Sequence, residues 1–160
     1  METFIASAHL ASTLLSVWSN TGPMVAVLLL ILCSALISSS EVALFSLTPA
    51  QKADLEDSKN SSDLRILELL ETPDRENGPK RLLATILIAN NAVNIAIVLI
   101  SSQLTASWFE AANYPEWLRT LIDVVVITFV IVLFGEVIPK VYATGNNMQV
   151  ARFMAMPLEV

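Results

Sequence analysis

Met24–Leu47 reads MVAVLLLILCSALISSSEVALFSL. Its first ten residues, Met24 to Cys33, are all apolar, and the whole run is long enough to cross a hydrocarbon core, which takes roughly 20 residues of helix. Against that background stands Ser38-Ser39-Ser40-Glu41. Polar and charged groups inside a span are expensive, and they face a partner helix, a cavity or an ion. Two further apolar runs repeat the pattern. Leu82–Ser101 carries Asn90, Asn91 and Asn94, and Leu121–Val141 carries Gly135-Glu136 followed by Pro139-Lys140. The expected fold is an all-α membrane protein with three transmembrane helices, at about residues 24–47, 82–101 and 121–141, and short juxtamembrane helices.

Composition agrees. The 160 residues are 54% hydrophobic and 15% charged, with a mean hydropathy of +0.63. Soluble domains average about 45–50% apolar and about 25% charged. The one cysteine, Cys33, lies inside the first run and has no intrachain partner for a disulfide. Met1 to Pro23 holds no Lys or Arg, so the N-terminus lacks the basic region of a signal peptide. Orientation follows from basic residues in the loops. Lys52, Lys59, Arg65, Arg75, Lys80 and Arg81 lie between the first two runs, whereas only Arg119 lies between the second and third. The N-terminus is therefore expected outside, with the long loop and the C-terminus in the cytoplasm.

The remaining segments have readable local signals. Met1–Asn20 reads as a partly apolar helix, with Leu10, Leu14 and Trp18 on one stripe, broken from the first span at Gly22-Pro23. Thr48-Pro49-Ala50-Gln51 combines an N-cap residue, proline at the first helical position and Gln at N3, which starts a helix. Ser61–Leu70 predicts a second short helix burying Leu64, Leu67 and Leu70. Thr72–Pro79 reads as a turn. Trp108, Phe109, Tyr114 and Trp117 form an aromatic belt in the outer loop, and Asn147–Leu158 has the pattern of an interfacial helix with Arg152 interposed.

The polar clusters converge in depth. At about 1.5 Å per residue, Ser38 lies roughly 21 Å below Met24, Asn90 about 12 Å in from Leu82 at the opposite end, and Glu136 about 22 Å from Leu121. Facing agrees too: Ser34, Ser38 and Glu41 share one helix face, and so do Asn90 and Asn94. Pro139 lacks an N–H and its ring pushes on the carbonyl of Gly135, which offers that carbonyl as a ligand beside Glu136. Hydroxyls, amide oxygens, a carbonyl and carboxylates make a hard, all-oxygen set suited to magnesium, calcium or sodium. Plainer readings stand beside this one. Serines and asparagines also join helices, Glu41 fits cytoplasmic headgroups, and Glu136 fits a pair with Lys140 one turn below. No Ser/His set or paired acid suggests an enzyme, since His9 lies outside the spans, and nothing points to nucleic acid.

At these residues the sequence resembles the transmembrane domain of the CorC and cyclin M family of magnesium transporters. ISSSEVAL at Ile37–Leu44 is similar to the family's F-S-G-S-E-x-A-L, LIANNAVNI at Leu87–Ile95 to L-I-G-N-N-x-V-N, and FGEVIPK at Phe134–Lys140 to G-E-x-x-P-K. The gliding-motility-associated members look nearest. Ser39 and Ala89 stand where glycine is usual, which implies a less close approach of helices there. The resemblance implies a homodimer, a kinked third span, and a Mg2+ site formed by Ser38, Ser40, Asn90, Asn94, the Gly135 carbonyl and Glu136. Ser34, Glu41, Asn91, Pro139 and Lys140 take secondary or gating roles. It also implies cytoplasmic CBS domains following these 160 residues, in a longer protein.

The expected function is Mg2+ export by alternating access, from a bacterial inner membrane, with surrounding lipid and Na+ as the candidate coupling ion. Outward movement of a divalent ion costs about 4.6 kcal/mol against about 100 mV, so some coupling is needed. Mg2+ also dehydrates reluctantly, and the Glu136 carboxylate is the group that offsets this. The competing reading is a non-transporting scaffold or Mg2+ sensor whose bound ion stabilises a dimer.

Overall fold

The computed structural model describes residues 2–58, 60–70, 78–112 and 114–158, with side chains from residue 21 on. It is an all-α membrane protein. Three long helices run back and forth: α1 (Glu2–Phe45), α4 (Gly78–Ala112) and α5 (Glu116–Gly145). Between α1 and α4 lie α2 (Pro49–Glu56) and α3 (Ser61–Leu70), and α6 (Asn147–Leu158) closes the chain. Within the long helices, Thr21–Phe45, Gly78–Glu110 and Glu116–Gly145 are long and apolar enough to cross a membrane.

The surface of these helices is what hydrocarbon requires. Leu28, Ile88, Ile95, Phe129 and Val141 are all well exposed, whereas Ile97, Leu104 and Ile131 are buried between the helices. The packed core sits instead at one end, where Ala43, Leu44 and Leu47 of α1 and its exit meet Leu55, Ile66, Leu70, Ile86, Ala143, Ala151 and Ala155. Small residues on α5 and α6 let those helices approach α1 closely there.

Local chemistry sets these elements. Thr48 caps α2 with a complete capping box: its hydroxyl accepts from the Gln51 N–H, and the Gln51 side chain accepts from the Thr48 N–H at 2.9 Å. Gln51 then donates to Asn147 at the start of α6 (3.0 Å), and Asn147 donates back to the Ser46 carbonyl. One cap therefore ties together α1, α2 and α6. Residue Asp63, in the first turn of α3, is 1% exposed and receives two bonds from Arg152 of α6, at 2.7 and 3.0 Å. Arg152 accordingly serves as an internal bolt as well as sitting on an interfacial helix.

Three local expectations change. The Gly22-Pro23 break is absent, and α1 runs through Pro23. A break at membrane depth would expose unpaired backbone groups to lipid, which costs more than one lost helical bond. The buried face of α3 is Asp63, Ile66 and Leu70, with Leu67 partly buried and Leu64 exposed; the Asp63–Arg152 pair rotates the helix away from the leucine stripe. The turn read at Thr72–Pro79 falls mostly outside the described residues, and by Gly78 the chain is already in α4.

Helix α5 is not a uniform α-helix. Ile122–Ile127 and Ile131–Val137 are wide-turned π segments, and α-helical geometry resumes at Ile138. Pro139 follows in the first turn of that last piece. Such segments are rare and concentrate at functional sites. Here they place Gly135 and Glu136 in a widened turn just ahead of the proline.

Candidate functional site

The three polar clusters meet, and a serine forms the junction. The Ser34 hydroxyl, fully buried, lies 3.0 Å from Asn90 Oδ1 and 2.8 Å from Asn94 Oδ1. The two amide nitrogens donate to the same Glu136 oxygen, Asn94 at 2.9 Å and Asn90 at 3.3 Å. An ionised carboxylate accepts and cannot donate. The amide nitrogens must therefore face α5, and their carbonyls must face α1. The order across the bundle is hydroxyl, amides, carboxylate, one helix each.

Gly135 makes this approach possible. A Cβ placed on it would lie 2.9 Å from Ser34 Oγ and 3.4 Å from Ser34 Cβ. Since Ser34 Oγ is already committed to two asparagines, it has little freedom to give way. Glycine here is a packing requirement of the α1–α5 contact.

Ser38 lies one turn along from Ser34 and is fully buried; among the described residues its hydroxyl is the side-chain atom of this kind with no hydrogen-bond partner. An unpaired buried hydroxyl costs about 1–3 kcal/mol, and an intramembrane position makes that loss hard to recover elsewhere. Among the described residues no three His, Cys, Asp or Glu side chains gather. The donor set is thus mainly neutral oxygen with one carboxylate, Glu136.

The other sequence candidates have contacts of their own. Ser40 is buried but donates to its own helix, to the Ile37 carbonyl at 2.7 Å, and Ser39 does the same to Leu36. Asn91 is exposed on the outer face of α4. Lys140 does not pair with Glu136: its ammonium sits 2.9 Å from Glu41 Oε2. That ion pair joins α1 to α5, takes Glu41 away from the headgroup role, and leaves Glu136 to the asparagines. Ser34, placed among the secondary residues, is central because its hydroxyl bonds to both amides.

The description "Cyclin M transmembrane N-terminal domain" matches residues 24–160. The chain belongs to the cyclin M transmembrane family. Among its relatives, the UPF0053 inner membrane protein YfjD of Escherichia coli is 30% identical over 130 residues, covering 79% of this chain and 28% of the relative. A UPF0053 protein of Haemophilus influenzae is 32% identical over 129 residues, again 79% and 28%. The UPF0053 protein sll1254 of Synechocystis is 26% identical over 133 residues, 83% and 35%. The chain therefore spans about a third or less of the length of these relatives.

Proposed function

We propose that this membrane domain binds Mg2+ between α1, α4 and α5 and exports it from the cytoplasm of a bacterium across the inner membrane. The observation that carries the reading is the Ser34–Asn90/Asn94–Glu136 cluster with the unpartnered Ser38 hydroxyl beside it. Hard oxygen ligands in this number suit Mg2+. A single carboxylate leaves the bound ion short of neutralised, and moderate binding is what transport needs, because the ion must also leave.

In the geometry described, the asparagine carbonyls point at Ser34 and their N–H groups at Glu136. A cation between Glu136 and the amides would meet N–H donors, so ion entry requires Asn90 and Asn94 to turn their oxygens inward. The Ser34 proton is then released from both carbonyls, and Glu136 exchanges two N–H partners for the ion. This rearrangement couples ion binding to the contact between α4 and α5. Alternating access follows if α5 moves against α1 and α4 at its π segments, with Na+ as the candidate coupling ion. The reading carries the remaining expectations with it: N-terminus outside, C-terminus cytoplasmic, CBS domains beyond residue 160, and binding and movement of an ion without bond-making chemistry.

A second reading is a scaffold or Mg2+ sensor whose ion stabilises a homodimer. Asn91 favours a second copy in either case, since its exposed amide lies at a depth where lipid offers it no hydrogen bond. Mg2+ flux in reconstituted vesicles decides between them. Export requires flux that is lost in Asn94→Ala; ion binding with no flux in the parent protein leaves the sensor.

A further inference from the structure

A second polar cluster lies at the other end of the bundle, remote from α2, α3 and α6. Asp123, in the first π segment of α5, receives the Thr105 hydroxyl at 2.5 Å and the Ser102 hydroxyl at 3.4 Å, both from α4. Arg119 completes it, with Nε 3.6 Å from the Asp123 carboxylate and its guanidinium donating to the Ser102 carbonyl at 3.3 Å. Thr105 is 7% exposed. The ion-binding reading has no use for any of these residues.

Their position gives them one. The half of α5 from Ile131 onward packs on α1, whereas Ile122–Ile127 packs mainly on α4. An apolar cavity of about 320 Å³ sits beside Thr105, lined by Met24 and Leu28 of α1, Leu104 of α4 and Ile122 of α5 among others. The polar cluster ties that half of α5 to α4 beside this cavity. Between it and the Asn/Glu cluster Ile97, Ser101 and Ile131 are buried.

We propose that Asp123, with Thr105, Ser102 and Arg119, is the closure of this end of the bundle, and that it must part before the Asn/Glu cluster can open past Ile97 and Ile131. The proposal rests on the transport reading only for its purpose; the opening itself is measurable without an ion.

The test places a single cysteine at Ile97 in a Cys33→Ser background, in nanodiscs where both faces meet a polar maleimide. Ile97→Cys should be protected in the parent. Asp123→Ala and, separately, Thr105→Val should each accelerate its labelling roughly tenfold or more, the scale of one lost charge-assisted hydrogen bond. A cysteine at Ile66, buried in the core at the far end, should stay protected in both. Unchanged labelling at Ile97 in both folded variants overturns the closure, and so does equal acceleration at Ile66, which means general loosening. Faster labelling in a protein without Mg2+ flux upholds the closure and sinks the transport reading; unchanged labelling in a protein that moves Mg2+ does the reverse.

Discussion

Ser34 holds two asparagines with one proton, which makes the cluster sensitive to single atoms. Asn94 makes the shorter bond to each neighbour, 2.8 Å to Ser34 and 2.9 Å to Glu136, against 3.0 and 3.3 Å for Asn90. Asn94→Ala and Asn90→Ala should each lower Mg2+ affinity, as read by titration calorimetry, with both variants folded. Glu136→Gln keeps the shape and removes the charge; affinity should fall roughly 10- to 100-fold, the range of a lost charged contact. Equal affinity in Glu136→Gln and the parent would leave the cluster as helix glue. Gly135→Ala should also be damaging, because its methyl group meets Ser34 Oγ. Adding Ser34→Ala should recover thermal stability in that background without recovering ion binding, since the space returns and the hydrogen bonds do not.

At the scale of elements, the short helices at one end are fixed by a few polar contacts that single substitutions can isolate. Thr48→Ala removes the capping box of α2 and should cost about 1 kcal/mol, read as a lower melting temperature of the detergent-solubilised protein. The α3–α6 bolt has a pH signature. The Arg152 hydrogen bonds hold the Asp63 carboxyl below its ordinary range, against the opposing effect of burial, and the Ser58 hydroxyl adds to the lowering. A carboxyl depressed by folding stabilises the protein above its unfolded-state value and loses that contribution as pH falls through the folded one. The stability gap between parent and Asp63→Asn should thus be constant from neutral pH down to about pH 4 and shrink below it. A gap that closes already near pH 6 would mean the pair is not what Asp63 contributes. Arg152→Lys should behave poorly as a replacement, because the guanidinium bonds through two nitrogens at once.

For the whole molecule, the orientation of the bundle in its membrane decides the direction of ion movement. The basic residues of the α1–α4 segment predict that this end faces the cytoplasm. In a Cys33→Ser background, Asp57→Cys should react with an impermeant maleimide only in inverted vesicles, and Ala112→Cys only in right-side-out cells or spheroplasts. Both positions are exposed. The reverse pattern inverts the direction of the proposed transport while leaving the site intact. Exposed Asn91 gives the expected dimer a test of its own: Asn91→Leu removes an amide that lipid cannot satisfy, so it should weaken self-association if a second copy covers that face.

What the sequence determined by itself is whatever depends on one helix at a time. Run length and hydropathy make three spans, because backbone in hydrocarbon has to satisfy itself. Helical spacing puts Ser34 with Ser38 and Asn90 with Asn94, because 3.6 residues per turn fixes angles within a helix. The Thr48–Gln51 box is legible for the same reason, being local. Rotation and sliding of one helix against another are not written in any single periodicity, and only the tertiary structure decided them. It turned Asn91 outward, sent Lys140 to Glu41, made Ser34 the junction of the cluster, and built the Asp63–Arg152 and Asp123–Thr105 contacts from residues 89 and 18 positions apart. Packing chose those partners, because a buried polar group takes the mate that the close-packed bundle brings within reach.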